Sequence, residues 1–478
     1  MIVNQAKKYQ QKHRSHWDAV AQVSIDKYPG SQIYLNLLVE QYQQFIPPGI
    51  RVLELGSGHG DLLANLSPSF GVGIDFSWDM VRLAKNKHPE CHFICGDLHK
   101  IRLKGNFDVI ILSDTLNDVW DIQQVLANLH DACHSKTVII TNFFSRVWEI
   151  PLKLTRWLKL SRPNLAQNWL TPYDVRNLFD LAGFVFNRHW REILLPINVP
   201  ILSKFLNRTL SPLWPFRYIN LSNIMIFSLS QQEMPKVSGH QTISIIVPIR
   251  NEAGNIPTLI ERIPRMGSAT ELIIIEGHST DQSNHVIKME IKKRPDLDCR
   301  LIQQPQTGKA DAVFYGLDHA SGDILMLLDG DLSFDPELLQ RFYQAVIEKK
   351  GDFINGVRFV YPIEDEAMPF LNMLGNKIFG WVFSGLLGRP IRDTLCGTKV
   401  FLKQDYVKIR SVLNDVITKD PFGDFSLLLG AARLNLKICE IPIRYHKRLY
   451  GESKTRPWSD GLLLVRVLIN TIFHWELQ

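Results

Sequence analysis

Short runs rich in valine, isoleucine and leucine recur at strand–helix intervals along this chain, stop, and then begin again. The first set is RVLEL (51–55), GVGID (71–75), CHFIC (91–95), DVIIL (108–112) and TVIIT (137–141). The second is TISIIVPI (242–249), ELIIIE (271–276), CRLIQQ (299–304) and DILMLLD (323–329). Apolar runs of this length, bounded by Gly, Asp or Ser, suit strands covered on both faces of a parallel sheet. The stretches between them, such as DLLANL and DMVRLAKNK, have helical spacing. Between the sets lies SQQEMPKVSGHQ (230–241), polar and carrying Pro and Gly, which is linker chemistry. The expected organisation is therefore two α/β domains, residues 1–229 and 242–478, joined by 230–241 with the boundary near 235. The 478 residues leave room for both at about 150 residues per domain. No repeat of roughly 20–50 residues is visible, so the chain is not an array.

Composition narrows the function classes. With 45% hydrophobic and 21% charged residues the chain can bury large cores, which excludes a disordered tail or a disulfide scaffold. A net charge of +6 suits anionic ligands or a membrane surface but is too weak to argue for nucleic acid. Six scattered cysteines without a CxxC pair read as reduced cytosolic thiols. The first eighteen residues, MIVNQAKKYQQKHRSHWD, have no apolar h-region. No uncharged apolar run reaches the ~18–20 residues of a spanning helix. A cytoplasmic protein is expected, with peripheral contact on the inner face of a membrane. His88, Cys91, His92, Cys95 and His99 resemble metal ligands by count, yet on a strand alternate side chains diverge and cannot converge on a tetrahedral zinc.

The first candidate site is Glu54-Leu55-Gly56-Ser57-Gly58-His59-Gly60, with glycines at alternate positions between a strand and a helix. Glycine allows a tight turn and lets a ligand lie against the main chain. A dinucleotide fingerprint would read G-x-G-x-x-G; the spacing here is G-x-G-x-G. With Asp75 ending the second strand, Gly96-Asp97-Leu98 after the third and Ser113-Asp114 after the fourth, residues 10–229 resemble the class I S-adenosylmethionine-dependent methyltransferases. The resemblance implies a Rossmann-like sheet binding S-adenosylmethionine through Glu54, Gly56, Ser57, Gly58, Gly60, Asp75, Phe76, Asp97, Leu98 and Ser113. It also places a helix carrying Trp17-Asp18 over the cofactor. His134-Ser135-Lys136 replaces the family's Pro-Gly-Gly turn, and no Asn-Pro-Pro-aromatic motif is present. The methyl acceptor is unreadable, and a cofactor-sensing or scaffolding module without turnover is the alternative.

The second site begins with Asp329-Gly330-Asp331 after an apolar strand. Two carboxylates flanking a glycine at a sheet edge can grip a divalent ion that also holds a diphosphate. Gly308-Lys309 is no P-loop, because no Gly stands five residues earlier and no Ser or Thr follows. Ile246–Glu252, Ser279-Thr280-Asp281, Gly356–Phe359, Asp393–Lys399, Glu440–Ile443 and the run from Arg448 to Lys454 accompany it in order. Together these make residues 242–457 resemble the dolichyl-phosphate mannosyltransferase-like branch of the family 2 glycosyltransferases. The resemblance implies a GT-A type fold. It implies Mg²⁺ or Mn²⁺ on Asp329 and Asp331, and a nucleotide-diphospho-sugar donor against Pro248, Asn251, Glu252, Glu276, Lys309 and Gly330. A polyprenyl-phosphate or related lipid acceptor would need cations, for which Arg358, Lys399, Arg448 and Lys454 are candidates. A glycan hydroxyl acceptor would need a carboxylate base, with Asp424 first and Asp393 in reserve. Where the family carries Asp-Asp-Gly-Ser-Thr-Asp this chain has Glu276-Gly277-His278-Ser279-Thr280-Asp281.

Two segments have interfacial composition. Residues 146–160 (RVWEIPLKLTRWLKL) put Val147, Ile150, Leu154, Trp157 and Leu158 on one helical face, and 370–387 (FLNMLGNKIFGWVFSGLL) carries one charge. From 433 to 466, eight Lys or Arg face three Asp or Glu. They fit either a lipid-facing surface or core helices.

Overall fold

The computed structural model describes residues 2–23, 29–158, 161, 164–196, 199–230, 240–364, 367–413, 420–451, 461–467 and 469. The chain divides into two compact units, Met1–Glu233 and Met234–Gln478.

In the first unit the strands are β1 (Arg51–Leu55), β2 (Phe70–Asp75), β3 (His92–Cys95), β4 (Phe107–Ser113), β5 (Cys133–Phe144), β6 (Phe184–Glu192) and β7 (Ser222–Leu229). They form one sheet in the order β3-β2-β1-β4-β5-β7-β6. β1 to β5 run parallel, while β7 is antiparallel to both β5 and β6. Val52, Leu53 and Leu55 of β1 are fully buried, each worth about 1.5–3 kcal/mol against exposure. On one face Val52 packs with Leu38 and Tyr42 of the helix Pro29–Gln43 and with Leu62 and Leu63 of the short helix after the glycine turn, while Leu53 and Leu55 point to the other face.

The second unit contains β8 (Thr242–Ile249), β9 (Ala269–Glu276), β10 (Asp298–Gln303), β11 (Ile324–Leu327), β12 (Phe353–Val357), β13 (Lys399–Leu402) and β14 (Ile438–Pro442). Their order is β10-β9-β8-β11-β13-β12-β14. β13 is antiparallel to β11 and β12, and β14 returns parallel to β12. Phe353, Phe383, Phe401, Phe425 and Leu427 are fully buried in its core.

Both sheets are thus mixed rather than purely parallel. Five strands among the described residues lie outside the sequence expectation, β6, β7, β12, β13 and β14, and most are short or interrupted, although β7 (SNIMIFSL) holds an unbroken apolar run. β6 is a half-exposed edge (FVFNRHWRE), β12 carries Asn355 and Gly356, and β13 opens with Lys399. In each sheet the order reverses beside the first strand, between β1 and β4 and between β8 and β11. Open α/β sheets bind ligands at the carboxyl ends of the strands at such reversals.

Candidate active sites

In the first unit the β1 and β4 ends open onto a cavity of about 580 Å³. Gly56 turns the chain after β1 with φ +71°, and a Cβ there would lie 2.6 Å from Thr115 Oγ1. Thr115 Oγ1 itself donates to the Leu55 carbonyl at 2.6 Å, so the turn and the β4 end are locked together. Glu54, Gly56, Ser57, Gly58, Asp75, Phe76, Asp97, Leu98 and Ser113 all line this cavity. Gly60 does not. It starts the short helix at φ +76°, and a Cβ there would strike the Phe93 ring, so its need for glycine comes from packing.

The electrostatics of the cavity are acidic and underpaid. Burial pushes Glu54 up to about 8, with Asp75 and Asp61 adding repulsion. Its Oε2 and the Ser57 hydroxyl are buried without a hydrogen-bond partner among the described residues. Asp75 accepts from the N–H groups of Gly58 (3.0 Å) and Ser77 (2.9 Å), yet burial still raises it to about 6. Burial would raise Asp97 too, but His99, 2.8 Å away, brings it down to about 2. His88 bonds Asp61 at 2.7 Å, and no group of three His, Cys, Asp or Glu among the described residues could hold a metal. The N-terminal helix Ile2–Ala21 contributes Tyr9, His13 and Trp17 to the lining, and Asp18 accepts from the Ser77 hydroxyl at 2.5 Å.

Beyond the glycine turn the cavity continues into a chamber lined by Tyr34, Asp114, Asp118, Trp148, Leu152, Arg156 and Gln167. Tyr34 (3.1 Å) and Asn142 (2.8 Å) donate to Asp114, which burial raises to about 7; burial raises Asp118 likewise to about 7. Sequence reasoning missed Asp118, Arg156 and Gln167.

In the second unit, Gly330 packs on the β8 end, where a Cβ would lie 2.3 Å from Ile249 and 3.4 Å from the Pro248 carbonyl. Asn251, at φ 51°, bonds Ser279 and Thr280 across the β9 loop. Glu276 accepts from the N–H groups of His278 (3.1 Å) and Ser279 (2.6 Å). Here the carboxylates are paired. Lys309 sits 2.7 Å from Asp329 Oδ1 and 3.2 Å from Asp424 Oδ2. Arg448 lies 2.8 Å from Asp331 Oδ2 and 3.6 Å from Glu252. Burial alone would raise Asp329, but Lys309, then Arg448 and Arg358, hold it below the usual carboxylate range. Gly397 abuts this carboxylate so closely that a Cβ would lie 2.0 Å from Asp329 Oδ2.

Three expected roles are corrected by this geometry. Asp393 is fully buried and spent on Arg358, whose Nε and Nη2 donate at 2.7 and 2.8 Å, and on Asn376 at 2.8 Å. It has no oxygen to serve as a reserve base. Arg358, in turn, is a buried partner rather than an open phosphate ligand. Lys399 is fully buried, donating to the Cys396 carbonyl and lying 3.6 Å from Asp424. Of the proposed acceptor cations, Arg448 remains at the site, and Lys454 lies outside the described residues. Asp424, buried between Lys309 and Lys399, is held as a counter-ion. The Asp329–Asp331 loop fits a hard divalent cation: its two carboxylates already carry Lys309 and Arg448. Such an ion needs about six oxygen ligands, so phosphate oxygens would have to complete its shell.

Comparison with known proteins agrees with this division. Residues 46–183 match a family model described as "Methyltransferase domain", and residues 244–404 match "Glycosyl transferase family 2". The chain thus carries a methyltransferase domain followed by a family 2 glycosyltransferase domain, both enzyme folds. Over 222 residues it is 27% identical to "Glycosyltransferase AglJ" of Haloferax volcanii, covering 46% of this chain and 68% of the relative. It is also 27% identical to "Dolichol-phosphate mannosyltransferase" of Pyrococcus furiosus, covering 45% and 59%. The chain therefore spans about two thirds or less of the length of these relatives. A solved magnesium protoporphyrin IX methyltransferase from Synechocystis PCC 6803 with bound SAH is 18% identical, covering 46% of this chain and 100% of that one at a TM-score of 0.33.

Proposed function

We propose that this is a bifunctional enzyme in which residues 1–229 bind S-adenosylmethionine for methyl transfer and residues 242–478 transfer a sugar from a nucleotide-diphospho-sugar to a polyprenyl-phosphate or related lipid acceptor. The observation that carries the second half is the paired loop at the β8/β11 reversal. Asp329 and Asp331 are held there on cations, Lys309 and Arg448, beside Glu252 and Glu276 of the neighbouring strand ends. Mg²⁺ or Mn²⁺ on Asp329 and Asp331 would supply charge to offset the departing nucleoside diphosphate. Lys309 and Arg448, displaced from Asp329 and Asp331, would then turn to phosphate oxygens, Lys309 keeping its contact with Asp424. The ionised state of a lipid phosphate removes the need for a base. Asp424 favours that acceptor over a glycan hydroxyl, because both its oxygens face lysines.

Supporting a lipid acceptor, the helix Phe370–Leu387 buries Asn376, Phe379, Gly380 and Phe383 and leaves Phe370, Leu371, Leu374, Ile378 and Trp381 bare. The outward stripe is apolar, the reverse of a water-facing helix. No helix among the described residues is long and apolar enough to cross a membrane, so the contact we propose is peripheral, on the cytoplasmic side.

For the first half, the unpartnered Glu54 oxygen and Ser57 hydroxyl suit a cationic ligand with N–H donors. S-adenosylmethionine supplies an activated methyl group; this chain's residues hold it in line, which is most of what such a transfer needs. The test is a radiolabel screen of nucleotide sugars against polyprenyl phosphate with divalent metal. Label entering the lipid phase supports the reading. Release of nucleoside diphosphate only when a free glycan is added would move the acceptor to a hydroxyl.

A further inference from the structure

The helix Glu149–Trp157 is apolar on two opposite faces. Trp148, Leu152 and Thr155 form the stripe that walls the first unit's cavity. Val147, Ile150, Leu154, Trp157 and Leu158 form the other, and all five are exposed, with Ile150 and Trp157 both 78% exposed. A helix with a second, exposed apolar stripe opposite the one that packs inward has a face that water does not suit, even with Glu149, Lys153 and Arg156 along its flanks.

A second bare segment stands beside the same cavity. Residues 199–219 lie in the chain between Leu195-Pro196 and Leu221, all three of which line the cavity. The Leu221 N–H donates to the Ile193 carbonyl at 2.7 Å and closes the insertion at its base. Trp148 Nε1 donates to the Ile219 carbonyl at 2.7 Å, tying the insertion to the start of the helix. Along it Val199, Ile201, Leu202, Phe205, Leu213 and Trp214 are exposed, Ile201 by 87%. Contiguous apolar surface of this extent marks an interaction site.

Charge selects the occupant. Over residues 146–158 and 199–219 the sequence has six Lys or Arg (Arg146, Lys153, Arg156, Lys204, Arg208 and Arg217) against a single acid, Glu149; Lys153 pairs with Glu149, Arg208 with Glu40, and Arg156 turns to Gln167 in the cavity, so the balance stays positive by a smaller margin. Tryptophan, leucine and phenylalanine interleaved with cations, with one acid among them, is the composition of a segment lying in the headgroup region of an anionic bilayer.

We infer that the first unit docks on anionic lipid through the outer stripe of Glu149–Trp157 and the insertion 199–219, so that its cavity takes a membrane-borne amphiphile as its second ligand. The amphiphile would enter along Trp148, Leu152 and Arg156 with its polar end toward Asp118 and Gln167. The identity of that ligand as methyl acceptor rests on the S-adenosylmethionine reading above, whereas the docking surface does not.

Amide hydrogen exchange on the full chain reads the surface locally and separately from the second unit. Vesicles of equal phosphatidylglycerol and phosphatidylcholine should slow exchange in 146–158 and 199–219 by about fivefold or more, and pure phosphatidylcholine should do so less. The triple substitution Ile150→Glu, Leu154→Glu, Trp157→Glu should abolish that protection while S-adenosylhomocysteine binding, measured by calorimetry, stays unchanged. Protection confined to 370–387, or none, would overturn the inference. So would protection that grows with protein concentration without vesicles, which would assign the face to a second copy. If S-adenosylhomocysteine fails to bind while the segments are protected, docking stands and the cofactor reading falls.

Discussion

Two pockets occupy the same topological place, the strand-order reversal of an open sheet, and are prepared in opposite ways. In the first unit Glu54, Asp75, Asp114 and Asp118 are buried short of counter-charge and driven upward, while Asp97 beside His99 and Asp61 beside Lys87 and His88 are lowered. In the second unit cations already sit on the carboxylates, and Asp329 and Asp393 are driven downward. A pocket of under-ionised acids gains most from receiving a positive ligand. A pocket of ion pairs can exchange partners, giving its carboxylates to a metal and its cations to phosphates. The shared sheet explains where the sites are, and the side chains explain what each one takes.

The largest effects should come from the second unit. Asp329→Ala should cut nucleoside-diphosphate release from a donor roughly 10²–10³-fold or more, read by a coupled phosphate assay; unchanged turnover would break the metal assignment. Arg358→Met leaves Asp393 buried without its partner. It should cost about 3–5 kcal/mol of that unit's stability in a denaturant titration, while Arg448→Met, whose own side chain is partly exposed although Asp331 is buried, should lose turnover and less stability than Arg358→Met. Gly397→Ala should act on the same carboxylate from the other side, weakening metal-dependent donor binding, because the added methyl group must displace Asp329.

A smaller effect separates the units by pH. A carboxyl raised on folding binds its proton more tightly in the native state, so stability falls as pH rises from its unfolded value to its folded one. For Glu54 that window runs from about 4.5 to about 8. Thermal melts of the ligand-free chain should show the first unit losing stability across it, and Glu54→Gln should flatten the slope. Asp329, lowered on folding, should lose its contribution only as pH falls below the ordinary carboxylate range.

The parts of this contrast that local spacing encodes were legible in advance. Glu54 and Asp75 lie near the ends of β1 and β2, and the glycine turn, Asp97 and Asp329-Gly330-Asp331 follow strands marked by short apolar runs. What stayed hidden depends on contacts between residues far apart in the chain. Arg358 and Asp393 both suggested chemistry as isolated charges, but 35 positions apart they neutralise each other. Lys399 starts a buried strand, so its ammonium points into the unit. Asp118 lies in a loop with no pattern, and its chamber exists because residues 146–158 fold over it. β6 escaped as a half-exposed edge and β12 through its internal polar residues, while the antiparallel β7 and β13 lie inside their sheets, where a short apolar run says nothing of strand direction.

Calorimetric titration of S-adenosylmethionine into the full chain at pH 7, repeated in buffers of different ionisation enthalpy, tests the contrast most directly. Glu54 is mostly protonated there, and a bound cation should lower it, so one saturable site with net proton release is expected, the release shrinking in Glu54→Gln. Binding without proton release, or no binding, would contradict the account.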